Sequence, residues 1–470
     1  MTGGLLQLVS VGQIDEFLIA NPQISFYEHV YKRHTQFSME SRKLAFKASN
    51  TRFKNDTTIL ECDVPRYGDL LKNIYYCFTL PEVFSSDTYR FKWIKNIGNT
   101  MIKRATINID GIEIDKLTGE WMNIWNELTT IDNRHDSMIG NVDSLTNPRK
   151  SNDRVSIVNN RFIYYFYPEA SKDLDNPPSI PQREIVVPLD FWFTKNPALA
   201  LPLLRLQLNT ITIKIELESS ENIYQVYSDK LDQYVSPSYY NDLHKDNINI
   251  YTFVKNDTTL NQYIEANYIY LGTEERNKIC MRPTVKYLVE QLSITSMSSI
   301  KNKNSSSYKI RLNTNIPIKE LVWVFRRDDH IRFNEHTNYS PTIPETNVGI
   351  METASIRFSN RERLQEKQSQ YFNMIQPYQH HTTVPKDGIY CYSFAHYPEK
   401  QMLTGYFNSA LINTELDFYV KTDYDNRIIN EALIKNNMQP YEFDYTLYVF
   451  ALGYNFFEIV GNQVGMKFVA

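Results

Sequence analysis

The chain has 470 residues, and its 50 Lys plus Arg against 54 Asp plus Glu leave a formal charge of −4. That balance excludes a general nucleic-acid binder, whose affinity rests on a net basic face, and leaves room only for a local basic patch. The length suits two or three domains, and 33 Tyr and 25 Phe beside only 15 Gly favour half-buried strands.

The opening stretch MTGGLLQLVSVGQ is apolar. No basic region precedes it and Asp15 and Glu16 follow at once, so it does not read as a signal peptide. Residues 21–41, NPQISFYEHVYKRHTQFSMES, crowd aromatics among bases. Ser25 and Glu28 make an S-x-x-E capping box, which predicts a short helix from Phe26. On that helix Tyr27, Val30, Tyr31 and His34 share a face, with Lys32 and Arg33 to the side. A cap worth about 1 kcal/mol marks a helix start without holding a few turns alone, so the segment is expected to dock on something. Phe26, Tyr27, Tyr31, Lys32 and Arg33 are the candidate docking residues. Nucleic acid is the weaker partner for them, because two cationic side chains release few counterions.

Strands dominate from about residue 43. In RATINIDGIEID (104–115), isoleucines 107, 109, 112 and 114 flank Asp110-Gly111. That dipeptide predicts a two-residue hairpin turn, and the calcium-loop ligand series does not continue past Gly111. TGEWMNIWNELTT (118–130) predicts a helix with Trp121, Trp125 and Leu128 on one face, packed over a sheet opening. In LLRLQLNTITIKIEL (203–217) the apolar parity switches near Asn209-Thr210, which predicts a bulge or a bend between sheets. The polar, Tyr-rich stretch 218–247 reads as a domain boundary. Strand patterns resume at 284–294, 318–325, 388–395, 414–420 and 444–452, and VGMKFVA (464–470) reads as a strand tied into a sheet. Loops are expected at 173–182, 301–307 and 338–345.

No phosphate-binding glycine loop, dinucleotide turn, serine elbow or H-E-x-x-H helix occurs. Cys62, Cys77, Cys280 and Cys391 are scattered without metal-ligand spacing and read as free, buried thiols of a reducing compartment. His380-His381 is the one histidine pair. Neighbours on a strand point to opposite faces, so the pair reads as loop or surface rather than as a metal site. No catalytic, cofactor or metal residues are assigned. The N-x-[ST] sequons at Asn55, Asn256, Asn304 and Asn338 read as chance occurrences in an Asn-rich chain.

These motifs, in this order, resemble the major capsid proteins of nucleocytoplasmic large DNA viruses, the group of iridoviruses and phycodnaviruses. The resemblance runs from GGLLQLVSVGQIDEFLIANPQISFYEHVYKRHTQFSMES (3–41) through TGEWMNIWNELT, VPLDFWFTKNPALALPLLRLQLNTITIKIEL (187–217), NYIYLGTEER (267–276), IKELVWVF and YFNMIQPYQHHTTVPKDGIYCYSFAHYPE (371–399) to YNFFEIVGNQVGMKFV (454–469). Two places depart from it: KQMLTGYFNSALI (400–412) replaces a usual Pro-Ser-Gly and Asn-Phe-Ser-Arg stretch, and NIP (315–317) replaces a His-Pro. The resemblance implies an all-β fold of two consecutive eight-stranded antiparallel jelly rolls with short helices in loops. The expected layout is a docking segment at 1–41, a first jelly roll at 42–218, a boundary at 219–247 and a second jelly roll at 248–470. It further implies a homotrimer forming pseudo-hexagonal capsomers of an icosahedral shell, assembled in the host cytoplasm. The implied partners are neighbouring capsomers, minor capsid and penton proteins and the internal viral membrane, with no specific nucleic acid, no cofactor and no enzymatic activity. A carbohydrate-binding or carbohydrate-active jelly-roll protein is the alternative.

Overall fold

The computed structural model describes residues 2–468 apart from 30, 48–52, 85–88, 132, 147–153, 159–160, 166–177, 256–258, 303–305, 313, 422–426 and 437. It comprises two units, Met1–Phe37 and Ser38–Ala470. The sequons at Asn256 and Asn304 and parts of the expected loops at 173–182 and 301–307 lie outside the described residues.

In the larger unit the Asp-Gly hairpin forms as the sequence predicts. Ile102–Ile109 pairs with Ile112–Leu117, Ile109 opposite Ile112. Asp110 and Gly111 both take positive φ, 51° and 81°, the turn that matches the strand twist. The Asp110 carboxylate accepts a hydrogen bond from Thr210 N at 2.7 Å, which ties the turn to the next strand, Ile211–Leu217. That strand buries every second residue, as ITIKIEL dictates. It lies between Thr58–Asp63 and Ile102–Ile109 in a four-stranded sheet.

A second sheet runs Phe37–Leu44, Tyr263–Leu271, Leu70–Leu80, with Leu201–Pro202 and Arg183–Pro188 both pairing with Leu70–Leu80. Leu60, Ile107 and Ile213 of the first sheet and Ile74 and Ile264 of the second share one core. The later half repeats the plan. One sheet runs Thr284–Lys301, Asp444–Val460, Pro317–Arg327, Ile389–Ser393, extended by Phe407–Asn408 and Gln463–Met466. The other runs Ser306–Leu312, Thr414–Val420, Met351–Phe358, Arg361–Gln368. Leu321, Trp323 and Phe325 meet Leu416 and Phe418 in a second core. The result is two consecutive antiparallel jelly rolls, the expected fold class.

Several expectations need correction. The sheets do not change over at 219–247. That stretch carries Tyr224–Ser228, which pairs with Gln233–Val235 on one side and with Phe91–Trp93 on the other, and the helix Pro237–His244. Tyr263–Leu271 then returns to the first set of sheets, and the second set begins only at Thr284. Tyr224, Val226 and Val235 are buried in the core of the first set of sheets, so the polar composition of this stretch does not mark the division between cores. The parity switch in 203–217 is not a bulge within one strand. Leu203–Arg205 forms a single 3-10 turn after Pro202, and the regular strand starts at Ile211. It is the bend of the two expected alternatives. Cys62, Cys77 and Cys391 are buried free thiols, but Cys280 is exposed. Gln463–Met466 does pair with Asp444–Val460.

In the smaller unit no helix starts at Phe26; residues 26 and 27 form a turn. The Ser25 hydroxyl accepts from Tyr27 N at 3.3 Å, two residues on, and so closes a tight turn rather than capping a helix. Among the described residues the helices of this unit are Gly3–Val9 and Gln13–Ile19, both earlier in the chain.

Candidate functional site: the seam between the barrels and the exposed apolar surfaces

The helix Gly119–Thr129 forms as predicted, with Thr118 capping Trp121 N at 3.3 Å. Rather than only closing a sheet opening, it lies on the seam between the two jelly rolls. Trp121 and Trp125 stack at 5.3 Å, and Trp121 meets Phe450 of the second barrel at 5.3 Å. Glu120 accepts from Arg326 at 3.0 Å, and the Lys95 and Lys386 ammonium groups, at 3.0 and 2.8 Å, share the Glu345 carboxylate across the same seam.

The strand Pro317–Arg327 explains how the second barrel meets this helix. Leu321, Trp323 and Phe325 point into the second core, while Val322 and Val324 point into the cluster that contains Trp121 and Leu128. Both faces are buried, so IKELVWVF reads as an almost continuous apolar run. Glu320 shares the seam-facing side. It stands opposite Ser393, and Val322 stands opposite Cys391, so Glu320 and Cys391 are diagonal neighbours on one face.

One π-turn, Tyr371–Ile375, and the helix Gln376–His380 deliver His381 to that face. This overturns the surface reading of the histidine pair: the His381 side chain is fully enclosed. Its Nε2 lies 2.6 Å from Glu320 Oε1 and its Nδ1 3.2 Å from Glu399 Oε1. The Trp125 ring meets the imidazole edge-on at 5.9 Å, and Thr383 N donates to Leu128 O at 3.0 Å. Burial disfavours a charged imidazole, but Glu320 foremost, then the Cys391 side chain and Glu399, override it and carry the His381 pKa up to about 12. The group is an imidazolium held between two carboxylates. Sequence reasoning missed it because each partner is distant along the chain; the acidic residue inside the apolar run at Glu320 was the available signal.

A second buried network lies nearby. Glu290 binds Lys195 Nζ at 2.7 Å and also binds Lys319, whose ammonium donates to Pro398 O at 2.6 Å. Burial pushes Glu290 upward, yet the two lysines hold it below the ordinary carboxylate range. Asp115 lines a cavity of about 30 Å³ beside Lys195, Glu290 and Trp125. It accepts from Trp192 N at 2.9 Å, but burial outweighs this bond and raises its pKa to about 7. The folded state therefore binds this proton more tightly than the unfolded chain, whose reference is 3.8. Its contribution to stability is complete below pH ~4 and is lost as pH rises through ~7. Asp115→Asn should flatten the fall in denaturation midpoint between these pH values. An unchanged pH profile would show that Asp115 does not titrate there.

The residues predicted to dock all lie on the surface of the smaller unit. Phe26, Tyr27 and Tyr31 are 88 %, 101 % and 71 % exposed, and Lys32 and Arg33 are exposed as well. The structure does not gather them into a helical face. Asn338, in contrast, is buried, its amide donating to Glu335 and Thr342, so this sequon presents no free side chain.

Two family models cover nearly the whole chain: "Major capsid protein N-terminus" matches residues 25–272, and "Large eukaryotic DNA virus major capsid protein" matches 275–465. The chain belongs to the major capsid proteins of large eukaryotic DNA viruses. The join between the two matches falls where the strands pass from one set of sheets to the other. The major capsid protein of Pyramimonas orientalis virus is 30 % identical over 491 residues, covering 100 % of both chains. That of Paramecium bursaria Chlorella virus 1 is 25 % identical over 498 residues, again covering 100 % of both. Among solved structures, a chain of the "PBCV-1 virus capsid, quasi-atomic model" matches at TM-score 0.67 and 21 % identity, over 95 % of this chain and 100 % of that one. The "Faustovirus major capsid protein" matches at TM-score 0.66 and 12 % identity, over 95 % and 94 %. These likenesses support the double jelly-roll fold. As a major capsid protein the chain has its place in the virion capsid, as part of the shell. The carbohydrate-binding alternative finds no support among these relatives.

Proposed function

We propose that three copies of this major capsid protein close into a homotrimer that serves as one pseudo-hexagonal capsomer of an icosahedral shell, with a structural role and no catalysis. The carrying observation is the repetition of the jelly roll within one chain. Three copies of two similar barrels give six lobes, so a three-fold object fits a hexagonal lattice through one heterologous contact used three times. Minor capsid and penton proteins and the internal viral membrane are the further neighbours in this reading, and assembly takes place in the host cytoplasm.

Exposed apolar side chains on the second barrel support a contact with another copy. Tyr378 is 82 % exposed and Leu403 60 %, and Tyr397, Met402 and Tyr406 are also exposed. The two stretches that carry them adjoin where His380 Nδ1 meets His396 O at 3.2 Å. Obligate interfaces commonly bury about 2,000–5,000 Å², and such a patch is suited to one. Light scattering at micromolar concentration should give three times the 55.3 kDa chain mass. Tyr378→Asp with Leu403→Asp should shift the protein to monomer with its circular dichroism retained. A folded wild-type monomer at that concentration would overturn the trimer.

Residues 2–37 support a docking role beneath the shell. Among the side chains described there all but Asp15 are exposed, Leu5, Leu6, Leu8, Leu18, Ile24, Phe26 and Tyr27 included. A segment that apolar, with no buried apolar side chain among the described residues, needs a partner surface. In this reading its aromatics pack under the first barrel or on a minor protein, and Lys32 and Arg33 meet acidic protein or lipid headgroups.

A further inference from the structure

The seam also brings together three side chains that no part of the shell function requires. We propose that Glu320, His381 and Cys391 form a buried binding site for a divalent transition-metal ion of the zinc class, bracing the two jelly rolls against each other. One donor atom from each lies within 4.8 Å of the others. Thiolate, imidazole and carboxylate together suit zinc, whereas an all-oxygen set suits magnesium or calcium.

Three features make this more than a chance grouping. The first is a completed outer layer: His381 Nδ1 faces Glu399 Oε1 at 3.2 Å, and Glu399 is in turn held by Thr382 N at 2.6 Å. A carboxylate on the far nitrogen fixes the ring so that Nε2 points at the other donors, the arrangement that supports metal-bound histidines. The second is an unsatisfied atom. Glu320 is completely buried, and among the described residues its Oε2 has no hydrogen-bond partner. An orphan buried carboxylate oxygen is destabilising, and a cation would satisfy it.

The third is charge. With a proton bridging His381 and Glu320, the three groups are imidazolium, carboxylate and neutral thiol, which sum to zero. Binding a divalent ion expels the Nε2 proton and the Cys391 thiol proton to solvent. The result is one dication, one carboxylate, one thiolate and a neutral imidazole, again zero. Two protons leave for two charges gained, so the exchange leaves no net charge in the seam.

The 2.6 Å between Nε2 and Glu320 Oε1 belongs to the proton-bridged form. Ligands of a tetrahedral ion at about 2.0–2.1 Å stand roughly 3.3 Å apart, so metal entry requires Glu320 and His381 to part by about 0.7 Å. Rotation of the Glu320 carboxyl about its soft terminal torsion supplies such a shift.

The test uses the full chain refolded with cobalt(II), then with zinc(II). Wild type should show a thiolate-to-cobalt charge-transfer band and retain one metal ion per chain after gel filtration. Zinc should raise its melting temperature relative to a chelator-treated sample. Cys280→Ala should behave as wild type, since Cys280 is exposed and distant in sequence from the set. Cys391→Ser, close in shape to the native residue, should lose the band and the melting shift. Absence of the band and of retained metal in wild type would overturn the proposal without reference to any variant. So would a band that survives Cys391→Ser, and in either case the cluster contributes to the seam through the proton bridge and not through a metal.

Discussion

Replacing His381 with leucine should destabilise the two-barrel unit by about 3–5 kcal/mol, the usual consequence of stranding a buried charge. Glu320 would be left enclosed and unpaired, and Glu399 would lose one of the hydrogen bonds that hold it below its ordinary pKa against burial. The measurement is the urea midpoint with chelator present, so that only the proton-bridged seam is compared. The double variant His381→Leu with Glu320→Leu should recover most of the loss, because replacing both partners of a buried pair with apolar groups is often close to neutral. Equal losses in the single and double variants would show that packing, not charge, explains the effect.

The same substitution has a pH signature. His381 in the folded protein titrates at about 12, far above its reference value of 6.5. Its stabilisation is therefore complete below pH ~6.5 and is lost as the pH climbs toward 12. The gap between wild type and His381→Leu should narrow steadily from pH 7 to pH 10. A gap that stays constant over that range would mean that the imidazole is neutral in the fold.

Removing residues 1–24, and separately reversing charge with Lys32→Glu and Arg33→Glu, should leave trimers intact and abolish closed shells. In the proposed arrangement the barrels carry the contacts within a capsomer, while the exposed aromatic and basic segment joins the capsomer to what lies beneath it. The deletion removes both short helices and their exposed leucines; the double reversal leaves them and changes only the electrostatics. Light scattering reads the trimer and electron microscopy of expressed particles reads the shell. Normal particles from the charge reversal would remove Lys32 and Arg33 from the docking role. Loss of the trimer would place the segment inside the capsomer.

The features legible in the sequence were those decided within a few residues. Asp110-Gly111 specified its hairpin because positive φ at two successive positions is a local requirement. Thr118 and the spacing of Trp121, Trp125 and Leu128 specified a helix, and ITIKIEL and TELDFYV specified strands, because side-chain direction repeats every 3.6 or every 2 residues. The ordered series of motifs was enough to indicate the capsid family. Local chemistry also misled in places. Ser25 satisfied the pattern of a helix cap, yet its hydroxyl closes a turn onto Tyr27, because a short cap is too weak to impose a helix without packing.

What only the tertiary structure decided was long-range pairing. Tyr263–Leu271 joins the first barrel because its partner is Leu70–Leu80, nearly two hundred residues earlier along the chain, which composition around 219–247 does not register. His381 read as a loop or surface residue because adjacent positions on a strand point to opposite faces, which leaves the histidine pair poorly placed for one metal. Its environment is instead made by Glu320 from one strand, Cys391 from the next and Trp125 from the helix of the other barrel. The seam exists only once both cores have formed, since burial and a carboxylate neighbour are properties of place, and place is set by contacts that no local pattern encodes.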